Sequence, residues 1–176
     1  MALIMMAGFT TTVMAQTSAT VTGTTAGAVL IKAMTLTQSA PLHFGSIVLT
    51  TTAGGTVVLP SNTTTRVFTG GVATSAATPL PTNAAYNVTG TINETYSLTL
   101  PAITTVTHTT IPSGVYQMDI TLMKARFTNT PGIDATTSTL DNAGNDSFTV
   151  GGTLTVNASQ LGGIYAGQFD VSVDYN

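Results

Sequence analysis

With 176 residues, four basic and seven acidic side chains and a net charge of −3, the chain is sized for one domain and lacks the basic patch that neutralises phosphates, which excludes nucleic acid as a partner. It has no cysteine, so disulfides, thiol catalysis and thiolate metal sites are excluded as well. Thr supplies roughly a fifth of the residues, and a β-branched residue that suits a pleated surface and disfavours helix predicts an all-β fold. A mean hydropathy of +0.35 with only 6% charged residues leaves little repulsion between copies, which favours self-association.

Residues 2–9 are an apolar run, and Val13-Met14-Ala15 places small or moderate residues where a signal peptidase reads. This predicts a signal peptide over 1–15, a mature start at Gln16 and export. The run is shorter than the ~20 apolar residues that a membrane span needs. Residues 16–26 follow as an N-terminal extension in which Ala19, Val21 and Gly23 share one face. This is a strand pattern with no nearby partner in sequence, which reads either as a flexible mature N-terminus or as a donor strand for another subunit. The domain itself is expected over 27–176, with 27–36 as its first strand.

Residues 42–47 and 55–60 read as a hairpin, 65–69 as a short strand and 70–83 as a Gly/Ala/Thr/Pro-rich loop. A second hairpin is predicted from 85–90 and 95–101 around the turn 91–94, with Tyr96, Leu98 and Leu100 on one face. In 116–127 the alternation expects Met118, Ile120 and Leu122 to point inward. Residues 129–145 read as a loop. The final stretch, from Phe148, holds two strand-like runs around a glycine-rich turn. In the second, Phe169, Val171, Val173 and Tyr175 alternate with Gln168, Asp170, Ser172 and Asp174, the signature of one buried and one wet face. Together with Gly163 they are the expected core of the terminal strand. Gly151, Gly152, Gly162 and Gly163 are expected to supply positive φ or close backbone approach. Short strands separated by turn signals predict an antiparallel sandwich rather than a parallel α/β sheet.

Six spaced elements carry a family likeness: Leu42-x-Phe44-Gly45, Gly55-Thr56-Val57, Tyr86-x-Val88-x-Gly90, Tyr96-x-Leu98-x-Leu100-Pro101, Phe148-x-Val150-Gly151-Gly152-x-Leu154-x-Val156, and Gly163-x-Tyr165-x-Gly167-x-Phe169-x-Val171-x-Val173-x-Tyr175-Asn176. In this order they resemble a family of exported bacterial proteins, the domain of unknown function 4402 family, over nearly the whole mature chain. The resemblance implies an immunoglobulin-like sandwich related to fimbrial subunits. Gly163 and the penultimate Tyr175 also resemble the C-terminal strand of chaperone–usher pilins. That likeness implies a pilin-like subunit handled by a periplasmic chaperone and an outer-membrane usher, although the disulfide common in many pilins is missing here.

Catalysis finds no foothold. His43 and His108 fall in strand-like runs, and no nucleophile elbow, zinc-protease motif or phosphate loop is present. Asp134, Asp141, Asn145 and Asp146 offer hard oxygens, but their spacing does not fit the EF-hand loop and Asn/Asp/Gly clusters are what turns require. Neither a cofactor nor a metal is expected. Two readings follow: a structural subunit of an extracellular filament, a homopolymer grown by donor-strand exchange, and a monomeric exported adhesin or binding module, carbohydrate-directed, using the loops 70–83 or 129–145. Those loops contain no aromatic residue and the chain no Trp, which leaves sugar stacking poorly served and favours the subunit.

Overall fold

The computed structural model describes residues 22–111 and 116–176. The chain divides into one unit ending at Leu30 and a second running from Ile31 to Asn176. In the first, residues 22–30 form neither strand nor helix, and Gly23 takes a φ of 82°. The expected signal peptide and the positions Ala19 and Val21 lie outside the described residues.

From Ile31 onward the chain is all-β, a run of antiparallel strands. The spine is β11 (Asn145–Val156), twelve residues in which Phe148, Val150, Leu154 and Val156 point inward between half-buried Ser and Thr. One edge of β11 is shared by two strands, β6 (Ala84–Thr89) along its first half and β3 (Gly55–Leu59) along its second. Its other edge pairs with the long β9 (Gln117–Phe127). The sheet extends outward through β1 (Thr35–Ala40) on β6, β4 (Val67–Gly70) on β3, and β8 (Ile103–His108) and then β12 (Tyr165–Ala166) beyond β9.

A sheet this size needs two covers, because each half exposes its own apolar face. Over the first half lies a three-stranded sheet, β10 (Thr137–Thr139), β7 (Thr95–Thr99) and β13 (Ser172–Tyr175). Tyr96 and Leu98 from β7 meet Tyr86, Phe127 and Phe148 from the large sheet, and Tyr96 stands edge-on to Phe127 with ring centroids 5.8 Å apart. Over the second half lie Phe44 and the two-stranded sheet of β2 (Ile47–Leu49) and β5 (Val72–Thr74). They close a second cluster on Val57, Leu59, Met118, Ile120 and Leu154. The result is an antiparallel β-sandwich.

Where the two halves meet, β9 carries one residue more than its partner: Gly151 faces Lys124, while Thr153 faces Thr121. This bulge inverts the alternation. Met118 and Ile120 are buried as expected, but Leu122 falls on the extra residue, takes a φ of 49° and points to solvent, and Ala125 and Phe127 resume the inward phase.

Four other expectations are corrected. The strand expected over 27–36 begins only at Thr35, because Lys32 is held by side chains rather than by a strand partner. Residues 42–47 and 55–60 form no hairpin: β2 pairs with β5, and β3 turns back onto β4. The segments around 91–94 do not pair either, since β6 belongs to the large sheet and β7 to the small one. Their connection is an arch between layers, held by Gly90 N–H to Gly144 O and Leu140 N–H to Glu94 O. The expected loops 70–83 and 129–145 contain the short strands β5 and β10.

Candidate subunit-contact edges

In the small sheet β7 is central and β13 is an outer strand. In the large sheet β1 is an outer strand, and among the described residues neither outer flank has a strand partner. The two edges lie on the same side of the sandwich. On the opposite side the layers are tied together, because Ala135, just ahead of β10, donates its N–H to Ala125 O of β9, and Ser138 of β10 reaches Asp146 of β11. That leaves β13 over the β1 side.

Phe169, Val171, Val173 and Tyr175 from the terminal segment, and Met34 and Leu36 from the approach to β1 and from β1 itself, all pack against the first core cluster yet remain half-buried. Their neighbours Asp170, Ser172 and Asp174 are exposed. Gly163 lies apart from this row. It precedes β12, where a Cβ would strike the imidazole of His108. An edge strand presents a line of unpaired N–H and C=O groups, and a half-covered apolar row beneath it is what an added strand would cover with alternate side chains.

The two edges are joined at one end by Tyr175. Its hydroxyl donates to Lys32 O at 2.8 Å and accepts from Thr91 N–H at 2.7 Å. Thr91 Oγ1 in turn accepts the Lys32 N–H at 2.6 Å. Both main-chain groups of Lys32 are therefore held by side chains. Gly90 makes room for this clamp, since a Cβ there would run into the Tyr175 hydroxyl. The sequence gives no sign of Lys32 or Thr91 in this role.

The carboxylates do not converge. Asp141 Oδ1 accepts from the N–H groups of Ala143 and Asn145, which is turn chemistry. Asp146 is buried and accepts four bonds, from Tyr96 Oη (2.9 Å), Ser138 Oγ (2.6 Å), and the N–H groups of Asn129 (3.1 Å) and Ser147 (2.7 Å). Burial, and then the Asp146 charge, push the Tyr96 phenol well above its usual range. Asp134 pairs with Arg126 at 3.1 Å and receives the Ser61 hydroxyl. Burial alone would raise its carboxyl, but the Ser61 bond with Arg126 and Lys124 outweighs burial and holds it below its ordinary value. Among the described residues no three His, Asp or Glu side chains are grouped to hold a metal.

The histidines are engaged locally. His43 Nδ1 accepts from Gly45 N–H at 2.7 Å, and His108 Nδ1 from Thr110 N–H at 3.1 Å. His108 also stands edge-on to Tyr165 at 5.1 Å. Of the four glycines expected at special positions, none has a positive φ. Gly151 lies against the backbone of Leu59 and Pro60 and Gly152 close to Ile120, whereas Gly162 faces open space.

The architecture defines the class: an all-β antiparallel sandwich that, among the described residues, has an unpaired strand edge on each layer. More particularly, the chain belongs to the family described as Domain of unknown function (DUF4402), whose model matches residues 34–175, from just ahead of β1 to the last residue of β13. No curated protein and no solved structure matches the chain.

Proposed function

We propose that the protein is a pilin-like structural subunit of an extracellular filament, exported through the periplasm, in which the extension 16–26 of one copy adds as a strand to the open edges of the next. The observation that carries this reading is the pair of edges, β1 and β13, unpaired among the described residues and flanking one core cluster whose side chains there are only half-covered. A strand laid along either edge satisfies main-chain donors and acceptors and covers the row from Phe169 to Tyr175. The sequence of the extension fits the role: Ala19, Val21 and Gly23 alternate with Thr20 and Thr22, so a strand formed there would carry one small face. An ordered strand without a partner recovers none of the roughly 1–2 kcal/mol of backbone entropy lost per residue. Donor and acceptor sit on different parts of the subunit, so growth is head-to-tail and does not close. A periplasmic chaperone would cover the same edges before assembly and an outer-membrane usher would release the subunit, in keeping with the pilin likeness.

The test is deletion of residues 16–25. The truncated chain should be a soluble monomer that melts lower than the full mature chain, and a synthetic peptide of residues 16–26 should restore its stability without restoring polymers. Filaments of unchanged length from the truncated chain, seen by negative-stain microscopy, would refute the reading.

A further inference from the structure

Residues 27–31 read Gly-Ala-Val-Leu-Ile, and none of them enters a sheet. Val29 is 88%, Leu30 90% and Ile31 60% exposed, and the first two are the most exposed large apolar side chains among the described residues. β1 begins at Thr35, opposite Thr89. Ahead of it Lys32 has its N–H and C=O taken by the side chains of Thr91 and Tyr175, so the clamp ends the ladder of the domain. What precedes the clamp has the branched apolar side chains that favour a strand, and no strand to lie against.

The run also keeps step with the extension ahead of it. Gly27, Val29 and Ile31 fall in the same alternate phase as Ala19, Val21 and Gly23, so a strand formed through both would carry one face, small at its start and bulky at its end. Gly23, with a φ of 82°, is the one residue of 22–31 with a positive φ, and a glycine exchanges that for an extended backbone without steric cost. A strand that stopped at residue 26 would instead leave 27–31 as a bridge between subunits, up to about 17 Å long. Bridges that stay in water are rich in Gly and Ser or in Pro. Consecutive Val, Leu and Ile are costly there, because only burial removes their apolar surface from water.

We propose that the donor strand runs on through Ile31, and that Val29 and Ile31 anchor it on the β13 edge of a second copy of this chain. The row from Phe169 to Tyr175 repeats at every second residue, as the donor face does, and each of its four apolar side chains is half-buried. The β1 edge offers only Met34 and Leu36 to the same core, so the larger half-covered row is at β13. Each side supplies what the other lacks. The run brings main-chain groups outside any ladder and two β-branched side chains, and β13 has an outer flank without a strand partner among the described residues. Because Lys32 is clamped in its own domain, a donor bound up to Ile31 leaves no slack, and neighbouring subunits abut. The proposal rests on the filament reading and adds to it the anchor residues, the acceptor edge and the close spacing.

The chain has no cysteine, so disulfides placed by substitution report pairing without background. Full mature chains carrying Val29→Cys are mixed with size-tagged chains carrying Val171→Cys or Val173→Cys and oxidised. The two thiols are on different chains, so a mixed product on a non-reducing gel is a contact between copies. At least one of the two mixtures should give it, whichever residue lies opposite in register. Val29→Cys mixed with Ser172→Cys, on the outward face of β13, should give about tenfold less, because Cβ vectors that point apart are not bridged. Mixed product no stronger than in the Ser172→Cys control would overturn the proposal. So would a disulfide that forms only in a chain carrying both Val29→Cys and Val173→Cys, which places the run on its own β13. Negative-stain microscopy of wild type separates the two readings. Filaments without the mixed product leave the subunit reading standing and sink the anchor, whereas mixed product without filaments keeps the pairing and refutes filament growth.

Discussion

Replacing Asp146 by Ala should be among the most damaging single changes in the chain. Asp146 is 7% exposed and its carboxylate gathers four donors from four segments: Tyr96 of β7, Ser138 of β10, and the backbone of Asn129 after β9 and of Ser147 in β11. Removing it strands the hydroxyl of Tyr96, which is 0% exposed, while Ser138, 4% exposed, keeps Thr130 Oγ1 as a partner at 2.9 Å. The exposed Asn129 amide can turn to water instead. One buried donor left without an acceptor costs about 1–3 kcal/mol, and the exchange of a charged for a neutral acceptor at Ser138 adds about 1 kcal/mol. Relief from burying a carboxylate that has no cation in its shell offsets part of this, so the net loss should be about 1.5–3 kcal/mol. For a domain of this length that is a fall in melting temperature of roughly 3–12 °C. Thermal melts followed by circular dichroism would measure it, with Tyr96→Phe and the double variant completing a cycle. The coupling between Tyr96 and Asp146 should reach about 1.5 kcal/mol or more, as for hydrogen bonds to charged groups. A melting point for Asp146→Ala within about 2 °C of wild type, or a coupling near zero, would refute the account of Asp146 as the joint between the layers.

Val173→Asp, on the inward face of β13, should lower stability by about 2–3 kcal/mol by pressing an unpaired charge against the core, while Asp170→Asn on the exposed face should be nearly silent; equal effects in urea titrations would contradict the register. The Asp134 carboxyl is held below its ordinary 3.8 in the folded state, so its contribution is fully present above that unfolded value and is lost as pH falls from there through the lower folded value. The stability gap between wild type and Asp134→Asn should therefore shrink in acid, and a gap that is constant from pH 7 to pH 3 would count against the Ser61–Asp134–Arg126 cluster. Gly151→Val should be severe because the added Cβ meets backbone, Gly163→Val milder because a His108 ring can shift, and Gly162→Val quiet; melting temperatures in another order would disprove the glycine assignments.

The all-β class was open to inspection because Thr and the period-two runs report a local preference that each strand satisfies by itself. Pairing was not. The segments on either side of 91–94 look like a hairpin since both alternate and the turn is short, but whether such strands share a sheet or cross between layers is decided by what lies beyond the turn, here residues 140–144. The bulge at Leu122 escaped for a related reason: alternation read along β9 alone cannot register that its partner is one residue shorter between Gly151 and Thr153. Asp146 left a trace, being in phase with Phe148 and Val150, although its place at the end of an Asn/Asp/Gly cluster pointed to a turn. At the contact edges, the residues of β13 could be located from their alternation. That β13 is an outer strand, and that it lies on the β1 side, are facts of topology that no local pattern encodes.

The clamp of Tyr175 on Lys32 spans 143 positions of sequence, and this has a bearing on when the domain is complete. Contacts between such distant residues close very long loops, and folds dominated by them assemble slowly. The strand that completes the cover of the first core is also the one that fixes the start of β1, so both ends of the domain mature in the same late step. A chain whose last strand is not yet in place keeps only the β10 and β7 part of that cover, and the row from Phe169 to Tyr175 is missing from it. During that interval the edge of β7 is open as well, which makes the order of arrival, rather than final stability alone, the quantity that decides how long apolar surface stays exposed.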